Sequence, residues 1–257
     1  MSLREYVQRI IFDVRVGGDA ALVSLTEKIE GFRLENIEVS SDIMETAYKN
    51  ISSDLRESLN TAANRIREFH ELSKVDDWHD DTRGYGQKFL PVSSVSAYIP
   101  GGTARYPSTV LMTAIPARVA GVKRVSISCP GSEGGYPPDS VLAAAYISGV
   151  DQVYSLGGAQ AIAALAYGTD RVESVDLICG PGNLFVTLAK KLVYGDVGID
   201  GLYGPTETVI LADETASPVM CAADLVAQAE HDVLATPVLI TCLLYTSPSP
   251  RDATLSR

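Results

Sequence analysis

The chain has 257 residues, of which 46% are hydrophobic and 21% charged, with a formal net charge of −11. This length suits one large domain or two small ones, and the composition excludes a disordered chain. So acidic a chain repels nucleic acid and anionic membrane surfaces, which argues against both as partners, while helix N-termini still allow a phosphate-bearing cofactor to be held locally.

The opening MSLREYVQRI is charged and amphipathic and lacks the form of a secretory signal, and no apolar run is long enough to span a bilayer. A cytoplasmic location is therefore expected. Residues 1 to about 72 read as helices. LREYVQRIIFDVRV has apolar residues at helical spacing and stops at Gly17-Gly18; Asp19 caps a second helix, ALVSLTEKIE. Ser41 or Asp42 starts a third. Ser53 caps a fourth, on which Leu55, Leu59, Ala62, Ile66 and Phe69 make one core-facing stripe. The acidic, then glycine-rich segment 73–90 reads as a loop or hairpin, with His70 and His79 as exposed structural histidines.

From about Ser93 the texture changes to strand, glycine turn and helix in alternation. VSAYI, RVSISC, QVYSL, VDLIC and TVILAD are the strands, and four helices lie between them. This pattern predicts a parallel sheet with helices on its faces and right-handed crossovers. A capped helix, SPVMCAADLVAQAEHD, and a further strand follow. The tail CLLYTSPSPRDATLSR, residues 242–257, breaks the plan, because TSPSP continues neither a helix nor a central strand. It resembles the translation of a transposase-end sequencing adapter, so native sequence is expected to stop at about Thr241; the alternative is an ordinary disordered tail.

Ligands of a parallel sheet bind beyond the carboxyl ends of its strands. Four glycine-containing loops stand there: Tyr98–Gly102, Cys129–Gly135, Gly157–Gln160 and Gly180–Asn183. Glycine allows close backbone approach and helix starts offer unpaired N–H groups, so a nucleotide pocket is one reading and packing turns the other. Tyr98 offers a ring for stacking, and the amides of Gln160 and Asn183 offer contacts to a ribose or carboxamide. Asn183 equally fits a helix N-cap, and the two roles are compatible. The four cysteines, Cys129, Cys179, Cys221 and Cys242, form no CxxC and read as buried thiols; Cys179 has no base nearby to make it a nucleophile.

Gln228 and His231 stand three apart on the last helix, so both side chains share one face. They suit solvent, a core hydrogen bond, or two ligands of a metal. Spacing alone favours a helix with a satisfied histidine, because the chain has no HExxH motif and no second histidine cluster.

Taken in order, AYIPGGTARYPSTVLMTAIPARVAGV, GGAQAIAALAYGT, GPGNLFVTLAKKLVYG and DLVAQAEHD resemble the histidinol dehydrogenase family, as does IIFDVRVGGDAALVSLTEKIEGF near the start. The resemblance covers residues 3 to 241, and the family's chains are much longer. It implies oxidation of L-histidinol to L-histidine with two NAD molecules, in histidine biosynthesis, by a zinc-dependent homodimer acting on a small amino alcohol. It further implies that Tyr98, Gln160 and Asn183 contact NAD, and that Gln228 and His231 bind Zn2+ beside the substrate. Thr206 falls where the family's GPSE motif carries a substrate-contacting serine. The family's Glu–His acid/base pair and remaining zinc ligands would lie beyond Thr241, so this polypeptide alone is expected to be inactive and to bind zinc poorly. Thr206 and the DGLYG before it depart from the family pattern. They leave open a relative that oxidises another hydroxylated compound, such as a sulfonated diol; a non-catalytic nucleotide- or metal-binding module is the reading from another class. The expected architecture is α/β: an incomplete Rossmann-like domain of parallel sheet at 98–206, and a second, truncated α/β domain made of the N-terminal helices in 1–97 together with 207–241, with apolar surface left uncovered.

Overall fold

Ser2 starts the chain's first helix with a reciprocal cap. Its hydroxyl accepts from the Glu5 N–H at 3.3 Å, and its own N–H donates to the Glu5 carboxylate at 2.7 Å. The computed structural model describes residues 2–31, 34, 36–101, 105–131, 135–203, 207–231 and 235–241, with only the backbone at His231. Helix α1 spans Leu3–Glu30 and carries a kink at Gly18, whose φ of 52° and ψ of −137° are not helical. The two helices expected on either side of Gly17-Gly18 thus meet end to end at this kink, in a conformation that glycine adopts without strain.

Strand β1 (Glu38–Val39) and helices α2 (Ser41–Asn50) and α3 (Ser53–Leu72) follow. The cap of α3 is Ser52, not Ser53: the Ser52 hydroxyl accepts from the Leu55 N–H at 3.3 Å, while the Ser53 hydroxyl donates to Asp54. Of the expected stripe on α3, Leu59 is buried and Leu55, Ala62 and Ile66 pack against the core, but Phe69 is 65% exposed. It lies in the last turn, past the edge of the layer that α3 covers. Strands β2 (Trp78–Asp80) and β3 (Tyr85–Gln87) form the antiparallel hairpin anticipated for the glycine-rich segment.

The main sheet uses β4 (Ser94–Tyr98), β5 (Arg124–Ser128), β6 (Gln152–Tyr154), β7 (Leu177–Cys179) and β8 (Gly198–Ile199). Between them run α4 (Pro107–Ala120), α5 (Asp139–Ser148), α6 (Gly158–Tyr167) and α7 (Leu184–Val193). The strand order is β1-β6-β5-β4-β7-β8, parallel throughout except for β1 at its edge. The chain winds outward from β4 through β5 to β6, then returns past β4 to β7. That reversal between β4 and β7 is the topological switch point of a Rossmann-like sheet. Apolar side chains cover both faces. Helices α2 to α5 supply one core around Leu111, Ile115, Ile127 and Leu142; α1, α6 and α7 supply the other around Leu22, Tyr154, Ile162 and Ile178.

Contacts divide the chain into two compact units, Met1–Tyr203 and Gly204–Arg257. Within the first unit α1 packs on α6 and α2 on α5, which holds the N-terminal helices against the main sheet. The second unit is a single crossover: β9 (Glu207–Ala212), α8 (Pro218–His231) and β10 (Thr236–Thr241), with β9 and β10 parallel. Leu211, Val219 and Val226 are exposed there, as is Met220. Among the described residues no helix is long and apolar enough to cross a membrane.

Candidate functional site

The carboxyl ends of β4 and β7 meet at the switch point, and glycine makes the meeting possible. Gly180, just after β7, has φ of 99°, and a Cβ there would stand 2.3 Å from the Tyr98 carbonyl oxygen. Any side chain would force the two loops apart. The turn is also held from below. Lys190 of α7 is 2% exposed; its Nζ donates to the Gly180 carbonyl at 3.0 Å and pairs with the Asp200 carboxylate. Asp200 in turn accepts from the Gly180 N–H and the Gly201 N–H, each at 2.8 Å. A buried charge is tolerated only when so paired and hydrogen-bonded. Tyr203, the tyrosine of the DGLYG stretch, has its ring 5.6 Å from the Lys190 ammonium.

Asn183 closes the same turn. Its side-chain oxygen accepts from the Phe185 and Val186 N–H groups, both at 3.1 Å, so it is the N-cap of α7. The residue is exposed, which leaves its amide nitrogen available to a ligand.

Tyr98 ends β4 and is 3% exposed, with its ring in the core shared with α1, α6 and α7. No face of that ring is open for the stacking that the sequence suggested. What Tyr98 presents is a hydroxyl, which accepts from the Gly158 N–H at the start of α6 at 3.1 Å. Burial raises this phenol above its ordinary range.

Gln160 lies one turn into α6 and is fully buried. Its Nε2 donates to a carboxylate oxygen of Glu30, the last residue of α1, at 3.1 Å. Among the described residues its Oε1 has no hydrogen-bond partner. A buried carbonyl left unpaired costs about 1–3 kcal/mol, so the arrangement wants a donor that the described residues do not provide. Glu30 also accepts from the Gly157 N–H, yet burial prevails and lifts its carboxyl to about 7. The Cys129 and Cys179 thiols are each pushed up to about 12, chiefly by burial. Both are inert as nucleophiles at neutral pH, in line with their reading as structural thiols.

The structure thus gathers Tyr98, Gln160 and the Gly180–Asn183 turn at one end of one sheet. Gln160's orphaned acceptor and the glycine cradle fit a dinucleotide lying across the switch point. Three contributors were not foreseen. Lys190 left a signal, since it interrupts an apolar face with Val186 and Val193 at helical spacing. Asp200 and Glu30 left none; Glu30 is 130 residues from the amide it holds.

The expected metal ligands belong to the second unit. The Thr208 hydroxyl of β9 donates to the Gln228 Oε1 at 2.9 Å. That oxygen keeps a second lone pair, but one amide is not a zinc site. Among the described residues no group of three His, Cys, Asp or Glu side chains converges. The His231 side chain and the whole of Thr206 lie outside the described residues. For zinc the described residues therefore do not suffice.

Comparison with known proteins matches residues 1–245 to the family model described as histidinol dehydrogenase. The chain is 50% identical to the histidinol dehydrogenase of Methanothermobacter thermautotrophicus over 238 residues, covering 91% of this chain and 56% of that protein. Against the enzyme of that name from Geobacillus kaustophilus the figures are 49% over 241 residues, 93% and 57%. The crystal structure of histidinol dehydrogenase from Elizabethkingia anophelis superposes with a TM-score of 0.88 at 36% identity, over 94% of this chain and 57% of that one. The chain spans little more than half the length of these relatives.

Proposed function

Because the chain belongs to the histidinol dehydrogenase family, we propose that the whole protein oxidises L-histidinol to L-histidine with two NAD+ and zinc, and that Met1–Tyr203 supplies its dinucleotide site. The supporting observation is the unpartnered Gln160 Oε1 at the switch point. NAD+, when bound, accepts the hydride. The protein's own part is to hold it. Gln160 offers a buried acceptor, Asn183 an amide at the head of α7, and Gly180 a turn without a side chain against the end of β4.

The remaining chemistry belongs to the whole protein. A zinc ion would orient the amino alcohol and acidify its hydroxyl, with Gln228 and His231 among its ligands. Thr206 would face the substrate with its hydroxyl. The whole protein is proposed to act as a homodimer.

Titration calorimetry of NAD+ into this chain tests the dinucleotide site. Saturable binding is expected, weakened by about tenfold or more in Gln160→Leu, which removes the acceptor while filling similar space. No binding, or equal binding by the variant, refutes the reading. Assay of the whole protein on histidinol and on rival alcohols, sulfonated diols included, tests the substrate; oxidation of a rival alone overturns histidinol.

A further inference from the structure

We propose that Glu30 is a positioning residue of this site: by engaging the Gln160 Nε2 it commits the Gln160 carbonyl to a hydrogen-bond donor on the cofactor, an amide or hydroxyl group rather than a phosphate. This inference rests on the reading that Gln160 meets the dinucleotide. The start of a helix ordinarily invites phosphate through its free N–H groups. On α6 two of those groups are already engaged, Gly157 by the Glu30 carboxyl and Gly158 by the Tyr98 hydroxyl. A carboxylate standing there also repels an anion. Among the described residues, the buried side-chain atom left without a partner there is an acceptor, the Gln160 Oε1.

An unrestrained glutamine amide turns over and presents either end. An ionised carboxylate only accepts, so it draws Nε2 toward itself and leaves Oε1 for the ligand. A protonated Glu30 can instead donate to Oε1, and the amide then loses its preference. The groups acting on Glu30 among the described residues are the Gly157 N–H and Gln160 amide of α6, the Tyr98 hydroxyl of β4 and the Cys129 thiol after β5. Burial keeps the last two protonated at neutral pH, and Glu27 and Lys28 are the charged neighbours on α1 itself. Glu30 therefore titrates on its own near 7.

The test uses 15N-labelled chain and NAD+. The Gln160 side-chain amide signal, assigned by its loss in Gln160→Leu, should titrate with a midpoint near 7 in the wild-type chain and stay flat in Glu30→Gln. NAD+ should bind at least about threefold more tightly at pH 8 than at pH 6, and Glu30→Gln should bind at both values like the wild type at pH 6. Glu30→Ala, if folded, should bind about tenfold more weakly at pH 8. A flat wild-type amide signal, or a Glu30→Gln variant that keeps the pH dependence, overturns the inference. If the wild-type chain binds no NAD+ while the amide titrates as described, the functional reading fails and the positioning of Gln160 by Glu30 stands.

Discussion

A glutamate carboxyl that titrates near 4.5 when solvated titrates near 7 beside Gln160 and Gly157. Between those values the folded chain holds a proton that the unfolded chain has released. The stabilisation from neutral Glu30 is thus complete below 4.5 and lost as pH rises through about 7. Partial solvent screening reduces what the full shift implies, so Glu30→Gln should gain about 1–2 kcal/mol over wild type at pH 8 and little at pH 4.5, read from denaturant unfolding at both values. Lys190 acts in the opposite sense. Its ammonium is buried while Asp200 is partly exposed, and Lys190→Met leaves the Asp200 carboxylate without its cation under the Gly180 turn. Unfolding in urea should show a loss of about 3 kcal/mol, part of which returns when Asp200→Asn is added. Equal stability of single and double variants would deny the pair its role.

At the scale of elements, the decisive pieces are short. The Gly180–Asn183 turn joins β7 to α7 with a left-handed residue at its head and a cap at its foot. Gly180→Ala meets both an unfavourable φ and the Tyr98 carbonyl, and should lose about 2–3 kcal/mol and weaken NAD+ binding in the same sample. An alanine variant of wild-type stability would show that the loops are free to part. The start of α3 separates pattern from geometry. SSD offers two adjacent serines that sequence cannot tell apart, and only the backbone, extended at Ser52 and helical at Ser53, assigns the cap. Ser52→Ala should cost about 1 kcal/mol in thermal or chemical melts, and Ser53→Ala less than about 0.5 kcal/mol.

At the scale of the molecule, the strand order places the site. The order β6-β5-β4-β7-β8 brings the turn after β7 against the end of β4, because Val95 and Leu177, 82 residues apart in sequence, pair side by side. The second unit is less well covered. Two strands and one helix have too few faces to bury their own apolar side chains, and Leu211 remains 81% and Val226 62% exposed. The chain should bind a hydrophobic dye, and Leu211→Ser with Val226→Ser should lower that signal without altering the melt of the main sheet. Unchanged dye binding would mean that this surface is covered in solution.

Periodicity and turn chemistry alone determined the elements: the alternation of β-rich runs with apolar helices, the glycine loops between them, and the Asn183 cap. These are local properties, carried by neighbours within a few residues, so they are legible in one dimension. Tertiary structure decided the rest. It buried the Tyr98 ring and left only its hydroxyl to work with, and brought Glu30 to Gln160 and Asp200 to Gly180. Such pairings depend on which strand lies beside which. A buried polar atom announces its need for a partner in the sequence of its own helix, but the identity of that partner is settled only when distant segments close around it.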